Sequence, residues 1–236
     1  MRLIECFGLA TGELGSVSLR FSDGESAALI GQGQEGPLSF VRVLSGAERP
    51  ISGNVHIDRR GVGLKGRALR RNLARASAQM VFPPRLHVWD VLMLTAFAYG
   101  MGRKKAEYRA EQALCAFGLE KAASILPVLL PNDWQRRFTL AQAMVPDAGI
   151  VVLEEPFQGL SAEAEGIEGI VRQLSPDATV LWLFQDPADA ERLNRRNVLI
   201  SSGFVLFDGT CAEAVGRCAC ADFSAACGQL RKKGRL

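Results

Sequence analysis

An apolar strand, Ala27 to Ile30, and an apolar helix, Phe40 to Leu44, are joined by Gly31-Gln32-Gly33-Gln34-Glu35-Gly36-Pro37-Leu38-Ser39. Glycines at both ends of such a strand-to-helix junction are the frame of a phosphate-binding loop, whose backbone N–H groups converge on an anion at the helix N-terminus. The chemistry of that loop needs two more groups straight after the second glycine: a lysine for the β/γ-phosphates and a hydroxyl for Mg²⁺. Those positions hold Pro37 and Leu38. Pro37 supplies neither an ammonium nor a backbone N–H. Leu38 has no hydroxyl, and Glu35 adds negative charge where phosphates would sit. Ser39 keeps its hydroxyl. The phosphate-loop candidates are therefore Gly31, Gly33, Gly36 and Ser39. The competing reading is a plain turn into a helix, with proline at its well-tolerated first position.

The surrounding pattern is α/β. Short strands are expected at Leu3 to Phe7, Ser16 to Phe21, Ser26 to Ile30 and Gly53 to Ile57, with turn signals such as Asp23-Gly24 between them. Arg67 to Arg75 reads as a basic helix, with Leu69 and Leu73 at spacing four. Further helices are expected at Trp89 to Ala98, Arg103 to Phe117 and Gln135 to Met144. The second of these places Ala106, Ala110, Ala113, Leu114 and Phe117 on one side and closes at Gly118. The continuous apolar runs Gly149 to Leu153 and Ala178 to Phe184 suit strands buried on both faces. A hairpin around Ser202-Gly203 joins Asn197 to Ile200 and Phe204 to Phe207.

Composition narrows the function classes. The 236 residues are 48% hydrophobic and 22% charged, as for a globular chain, and the net charge of +3 is too small to argue for nucleic acid. No apolar run approaches the ~18 residues of a membrane span, and the start lacks a signal-peptide stretch, so a cytosolic chain is expected. Cys6 and Cys115 read as small core residues. Cys211, Cys218, Cys220 and Cys227 lack the paired spacing of structural zinc sites and read as packing thiols. His56 reads as a surface strand residue and His87 as a loop contact, and two histidines so placed do not build a histidine-rich metal site, which leaves Cys and carboxylates as the other ligand types.

The order of segments carries a resemblance. The glycine loop, the helix near Gln135, the strand ending Leu153-Glu154-Glu155-Pro156 and the strand ending Phe184-Gln185-Asp186 follow at intervals similar to those of the ABC transporter ATP-binding cassette family. Leu44 to Gly53 resembles the segment after that family's first helix, and Gly203 to Thr210 its terminal hairpin. The resemblance covers roughly residues 1 to 215. It implies a P-loop NTPase-like α/β cassette with a mainly parallel core sheet, an N-terminal antiparallel β subdomain and a helical subdomain. It also implies one domain over residues 1–236, with the helical part at about 84–134 and a helical tail at about 211–236.

Carried over residue by residue, the family's Mg²⁺-holding Asp corresponds to Glu154 and its general base to Glu155. Gln158-Gly159-Leu160-Ser161 resembles the following loop, with Ser161 replacing its Asp, and Gln185 stands at the switch-histidine position. The signature glycines correspond to Leu130-Pro131-Asn132-Asp133-Trp134, which brings bulk and negative charge. The glutamine expected after Met80-Val81-Phe82 is Pro83, Gln79 comes four residues early, and the early adenine-stacking aromatic is missing, with Phe7 nearby. The resemblance, with these substitutions, implies a highly degenerate cassette that is not an enzyme and is retained to dock on a transmembrane permease subunit or to pair with a second cassette. ATP and Mg²⁺ are its cofactors if binding survives. It would lie in the cytoplasm, peripheral to the membrane through its partner. The alternative is a divergent but working subunit that binds and hydrolyses ATP, coupled to transport. A second alternative is a soluble scaffold, supported only by Arg70-Arg71-Arg75 and Arg231-Lys232-Lys233. No specific nucleic acid is expected.

Overall fold

The computed structural model describes residues 3–31, 36–57, 60–61, 72–160, 164–193 and 195–234. The chain forms two compact units, one of Met1–Arg70 with Thr179–Leu236, the other of Arg71–Ala178.

In the first unit, β1 (Ile4–Ala10) pairs antiparallel with β2 (Val17–Phe21) and β4 (Ser52–Ile57), and β5 (Arg60–Gly61) extends β4. The alternation of β2 decides its face: Val17, Leu19 and Phe21 are buried while Ser18 and Arg20 face out. Gly53, at φ 78°, lies against β1 so closely that a Cβ would land on the Gly8 carbonyl, and β1 bulges between Phe7 and Ala10. In the same unit β3 (Ser26–Ile30) lies between β8 (Thr179–Phe184) and β9 (Arg196–Ser201), parallel to both, and β10 (Phe204–Gly209) returns antiparallel along β9. Every residue of β3 and β8 is buried, as their unbroken apolar runs require. Trp182, fully buried, satisfies its indole by donating to Ser26 Oγ at 2.8 Å. Arg196 closes the sheet edge: it donates to both Asp208 oxygens at 2.6 Å and to Glu25 at 2.8 Å, over the Phe21 ring.

In the second unit β6 (Leu73–Ala76) pairs parallel with β7 (Ile150–Glu154). The helices α2 (Val88–Ala98), α3 (Arg103–Ala116), α4 (Asn132–Met144) and α5 (Ala164–Leu174) complete it; α1 (Pro37–Leu44) belongs to the first unit. The predicted apolar side of α3 is buried at all five positions, and Gly118 follows the helix at φ 67°. Arg109, buried on the same helix, donates to the carbonyls of Met144, Val145 and Leu174, satisfying helix ends that would otherwise be orphaned. His87 caps α2, with Asp90 Oδ2 accepting from its backbone N–H at 3.1 Å. Parallel core strands, an antiparallel N-terminal sheet and a helical part are the α/β class read from the sequence.

Two readings are corrected. Of the expected basic helix Arg67 to Arg75, Leu73 to Arg75 belong to strand β6 and Asn72 to the turn before it, while residues 67–71 lie outside the described residues. A four-residue spacing of leucines is compatible with either period; pairing along β7 buries Leu73, Ala74 and Ala76 and decides it. Cys115 is exposed, because it falls on the outer side of α3. The first unit ends in α6 (Pro187–Glu191), which precedes β9, then α7 (Cys211–Cys218) and α8 (Phe223–Lys233), where Cys211, Cys218 and Cys227 are buried. Burial pushes the Cys6 thiol up to about 11 and the Cys227 thiol up to about 12. Alkylation at pH 8 followed by peptide mapping is therefore expected to label Cys115 about a hundredfold faster or more than Cys6 or Cys227. Among the described residues, no helix is long and apolar enough to cross a membrane, and no group of three or more His, Cys, Asp or Glu could hold a metal.

Candidate functional site

The glycine loop lies in the first unit. Gly31 donates its N–H to Phe184 O at 3.0 Å, so that group belongs to the sheet. A Cβ on Gly31 would land on the Pro37 ring. Gly36, at φ 82°, would place a Cβ 2.7 Å from Ile200 Cγ2, so packing demands glycine here whatever the loop binds. Residues 32–35, with the predicted Gly33, lie outside the described residues. Pro37 is buried as the first residue of α1, and the helix leaves the N–H groups of Leu38 and Ser39 without intrahelical acceptors. These are the anion-facing donors that the described part of the loop can offer.

Ser39 points its hydroxyl elsewhere. The side chain is fully buried, 2.7 Å from Thr11 Oγ1, and donates to the Glu48 carboxylate at 3.2 and 3.3 Å. Thr11 Oγ1 also accepts from the N–H groups of Glu13 and Leu14, so Ser39 belongs to a polar cluster that holds the preceding turn. Thr11 and Glu48 carried no signal in the sequence, because they meet Ser39 only through the fold. Gln185 is exposed one residue past β8, beside Asp186, which caps α6 by accepting from Ala188 N–H at 2.9 Å. Phe7 is 58% exposed, edge-on to His56 at 6.4 Å between ring centroids.

Glu154 and Glu155 belong to the second unit, at the end of β7. Glu154 is buried. Its Oε1 accepts from Arg75 Nε in an ion pair, and its Oε2 accepts from Ser77 Oγ at 3.3 Å and Ala78 N–H at 3.2 Å. Glu155 has φ 45°, a left-handed backbone uncommon for a residue with a Cβ. Arg136, on α4, holds this turn. Its Nη2 donates to the carbonyls of Glu154 and Glu155, the latter at 2.5 Å, and its Nη1 donates to Ser77 O at 2.7 Å. Only 1% of Arg136 is exposed. Burial pushes its guanidinium down to about 10, against the pull of the Glu155 and Glu154 carboxylates. It stays charged at neutral pH.

Helix α4 begins at Asn132, so the segment that resembled the signature runs from the residues before the helix into its first turn. Asp133 occupies that turn, and its carboxylate takes the positive helix end that would otherwise attract an anion. Strand β6 ends at Ala76, so Pro83 sits well inside the following loop and Gln79 lies three residues past the strand. Gln79 lines a cavity of about 370 Å³ with Arg75, Tyr99, Thr139 and Gln142. Arg75, paired with Glu154, is withdrawn from the basic patch that supported the scaffold reading.

The fit of a divalent cation is decided at Glu154. Both carboxylate oxygens already have donors, one of them a guanidinium. A metal held through Glu154 does not fit this arrangement.

Comparisons with known proteins extend over most of the chain. A family profile described as ABC transporter matches residues 14–158. The Fe(3+) ions import ATP-binding protein FbpC 1 of Rhizobium meliloti (strain 1021) is 26% identical over 206 residues, 86% of this chain. The chain spans 58% of that protein's length. The lipoprotein-releasing system ATP-binding protein LolD of Syntrophotalea carbinolica (strain DSM 2380 / NBRC 103641 / GraBd1) is 30% identical over 167 residues, 69% of this chain and 73% of its own. A structure of an ATP binding subunit of an ABC transporter superposes with a TM-score of 0.86 at 24% identity, covering 97% of this chain and 99% of that one, a likeness of fold. These findings overturn the expectation that the chain is not an enzyme. Proteins similar to it along most of its length are ATP-binding proteins of transport systems.

Proposed function

We propose that this chain, which belongs to the ABC transporter family, is the divergent but working ATP-binding subunit of a membrane transporter and hydrolyses ATP. The observation that carries the reading is the match to ATP-binding relatives across most of the chain, on a fold that keeps the strand and the helix on either side of the glycine loop. Nucleotide phosphates are held by backbone, chiefly the N–H groups of Leu38 and Ser39 and the glycine frame of Gly31, Gly33 and Gly36. Glu155 is the general base for the attacking water, its carboxylate aimed by the left-handed turn that Arg136 holds. Gln185 takes the switch position as a hydrogen-bonding group without a charge change. The chain acts as one cassette, paired with a second cassette and docked on a transmembrane permease subunit at the cytoplasmic face. Exposed Leu94 and Phe97 on α2 suit such docking.

Without the lysine, affinity for ATP is expected on the order of 0.1–1 mM. Equilibrium titration of the purified chain with labelled ATP, carried to ~10 mM, tests this. Saturable binding that Leu38→Glu abolishes supports the loop as the site. A carboxylate in the first turn repels phosphate and favours the helix end, while half-buried Leu38 gives up about 1–2 kcal/mol of burial, so loss of binding in a variant that stays folded is diagnostic. Glu155→Gln is expected to leave binding intact and slow phosphate release by about a hundredfold or more. No saturation in wild type sinks the reading.

A further inference from the structure

We infer that Glu154 serves as the counter-ion of Arg75 and not as a metal ligand: a guanidinium stands at this carboxylate in place of a divalent cation. The family resemblance put a metal-holding acid at this position, and the geometry disagrees with it. Three donors meet the two carboxylate oxygens: Arg75 Nε on Oε1, Ser77 Oγ and Ala78 N–H on Oε2. A carboxylate so held is neutralised and hydrogen-bonded at once, which is what burial of a charge demands. Its side chain is 8% exposed, leaving little room for the hydrated shell of a magnesium ion.

The second cation reinforces the first. Arg136 lies buried against the backbone of the same residue and of Ser77, so positive charge approaches the end of β7 from α4 as well as from β6. A divalent cation added there would meet two guanidinium groups, Arg75 on the carboxylate and Arg136 on the backbone carbonyl of the same residue. Breaking the Arg75 pair to admit it would also leave Arg75 over a buried acid with a competing charge. The sequence accounts for this arrangement in register: Arg75 lies opposite Val152 on the paired strand, two residues before Glu154. The inference rests on the nucleotide-site reading for the location of Glu154 and on geometry alone for its pairing.

Two measurements separate the inference from that reading. The first needs no nucleotide. A double-mutant cycle of Arg75→Met and Glu154→Gln, followed by urea denaturation, is expected to show a coupling of roughly tenfold in the unfolding equilibrium constant. Coupling below about twofold would overturn the pairing. Should Arg75→Met fail to fold, Arg75→Gln, which keeps a hydrogen-bond donor, completes the cycle. The second compares Mn²⁺·ATP with ATP in excess chelator, in wild type and in Glu154→Gln. Glu154→Gln is expected to change both affinities equally. A tenfold or larger loss confined to Mn²⁺·ATP would show that Glu154 holds the metal and overturn the inference. If ATP in neither form binds, the nucleotide reading falls while the cycle still decides the pair.

Discussion

Replacing Arg136 by methionine is expected to lower the stability of the chain by about 3–5 kcal/mol, the scale for breaking a buried charged network from one side. Two effects oppose each other. Burial of the guanidinium is itself unfavourable, as its depressed pKa of about 10 records, and methionine removes that cost. Against this, three carbonyls, of Ser77, Glu154 and Glu155, lose their donor together. Methionine fills much of the volume and satisfies none of them. Glu155 also loses the anchor of its left-handed backbone, a conformation that costs about 1–3 kcal/mol and persists only where neighbours enforce it. The carbonyls and the strained turn outweigh the relief of desolvation. Arg136→Lys is expected to recover less than half of the loss, because one ammonium cannot reach three acceptors that a planar fork spans. Urea denaturation of both variants checks the order; a methionine variant as stable as wild type would show that the guanidinium only fills space.

Arg136 also shows where sequence reading stops. In Gln135-Arg136-Arg137 it looks like half of an exposed basic pair. A signal was nevertheless present: Arg136 shares helical spacing with Leu140, Ala143 and Met144, all buried, so it lies on the apolar face of α4. A charge on such a face implies a buried partner, although the partner carbonyls lie 18, 19 and 59 residues away and have no sequence mark. The strands β3, β7 and β8 were legible because burial on both faces leaves runs that are apolar but for a polar residue at one end, and β2 because burial on one face alternates. Strand β6 was not, since four residues with an arginine among them carry too little pattern against a run of arginines that looks helical. The partners of the Ser39 hydroxyl were illegible for a related reason. Its position in the loop suggested phosphate, while its partners Thr11 and Glu48 are assembled by tertiary contact. The expectation of no enzymatic activity failed differently: it weighed substitutions in the phosphate loop, the signature segment and the switch position above a likeness spread over most of the chain.

Restoring the two missing groups of that loop is expected to have the largest effect on ligand binding. The double variant Pro37→Lys with Leu38→Ser should tighten ATP binding by about 10–100-fold, since charge-assisted hydrogen bonds contribute roughly 1.5–3 kcal/mol each and part of that is spent on ordering the lysine. The position is suitable for the stem. The Pro37 ring already packs over Gly31, which has no side chain of its own, so lysine methylenes can follow the same surface. Lysine also restores a backbone N–H at the first turn of α1, adding a donor to those of Leu38 and Ser39. The opposing terms act on stability. Losing the fixed φ of proline costs about 0.4–1 kcal/mol, and exchanging half-buried Leu38 for serine about 1–2 kcal/mol. Titration with labelled ATP and a urea curve therefore move in opposite directions if the loop is the phosphate site: tighter binding in a less stable chain. A less stable chain with unchanged affinity would place the phosphates elsewhere, because no ligand held at the start of α1 could be indifferent to a new ammonium there.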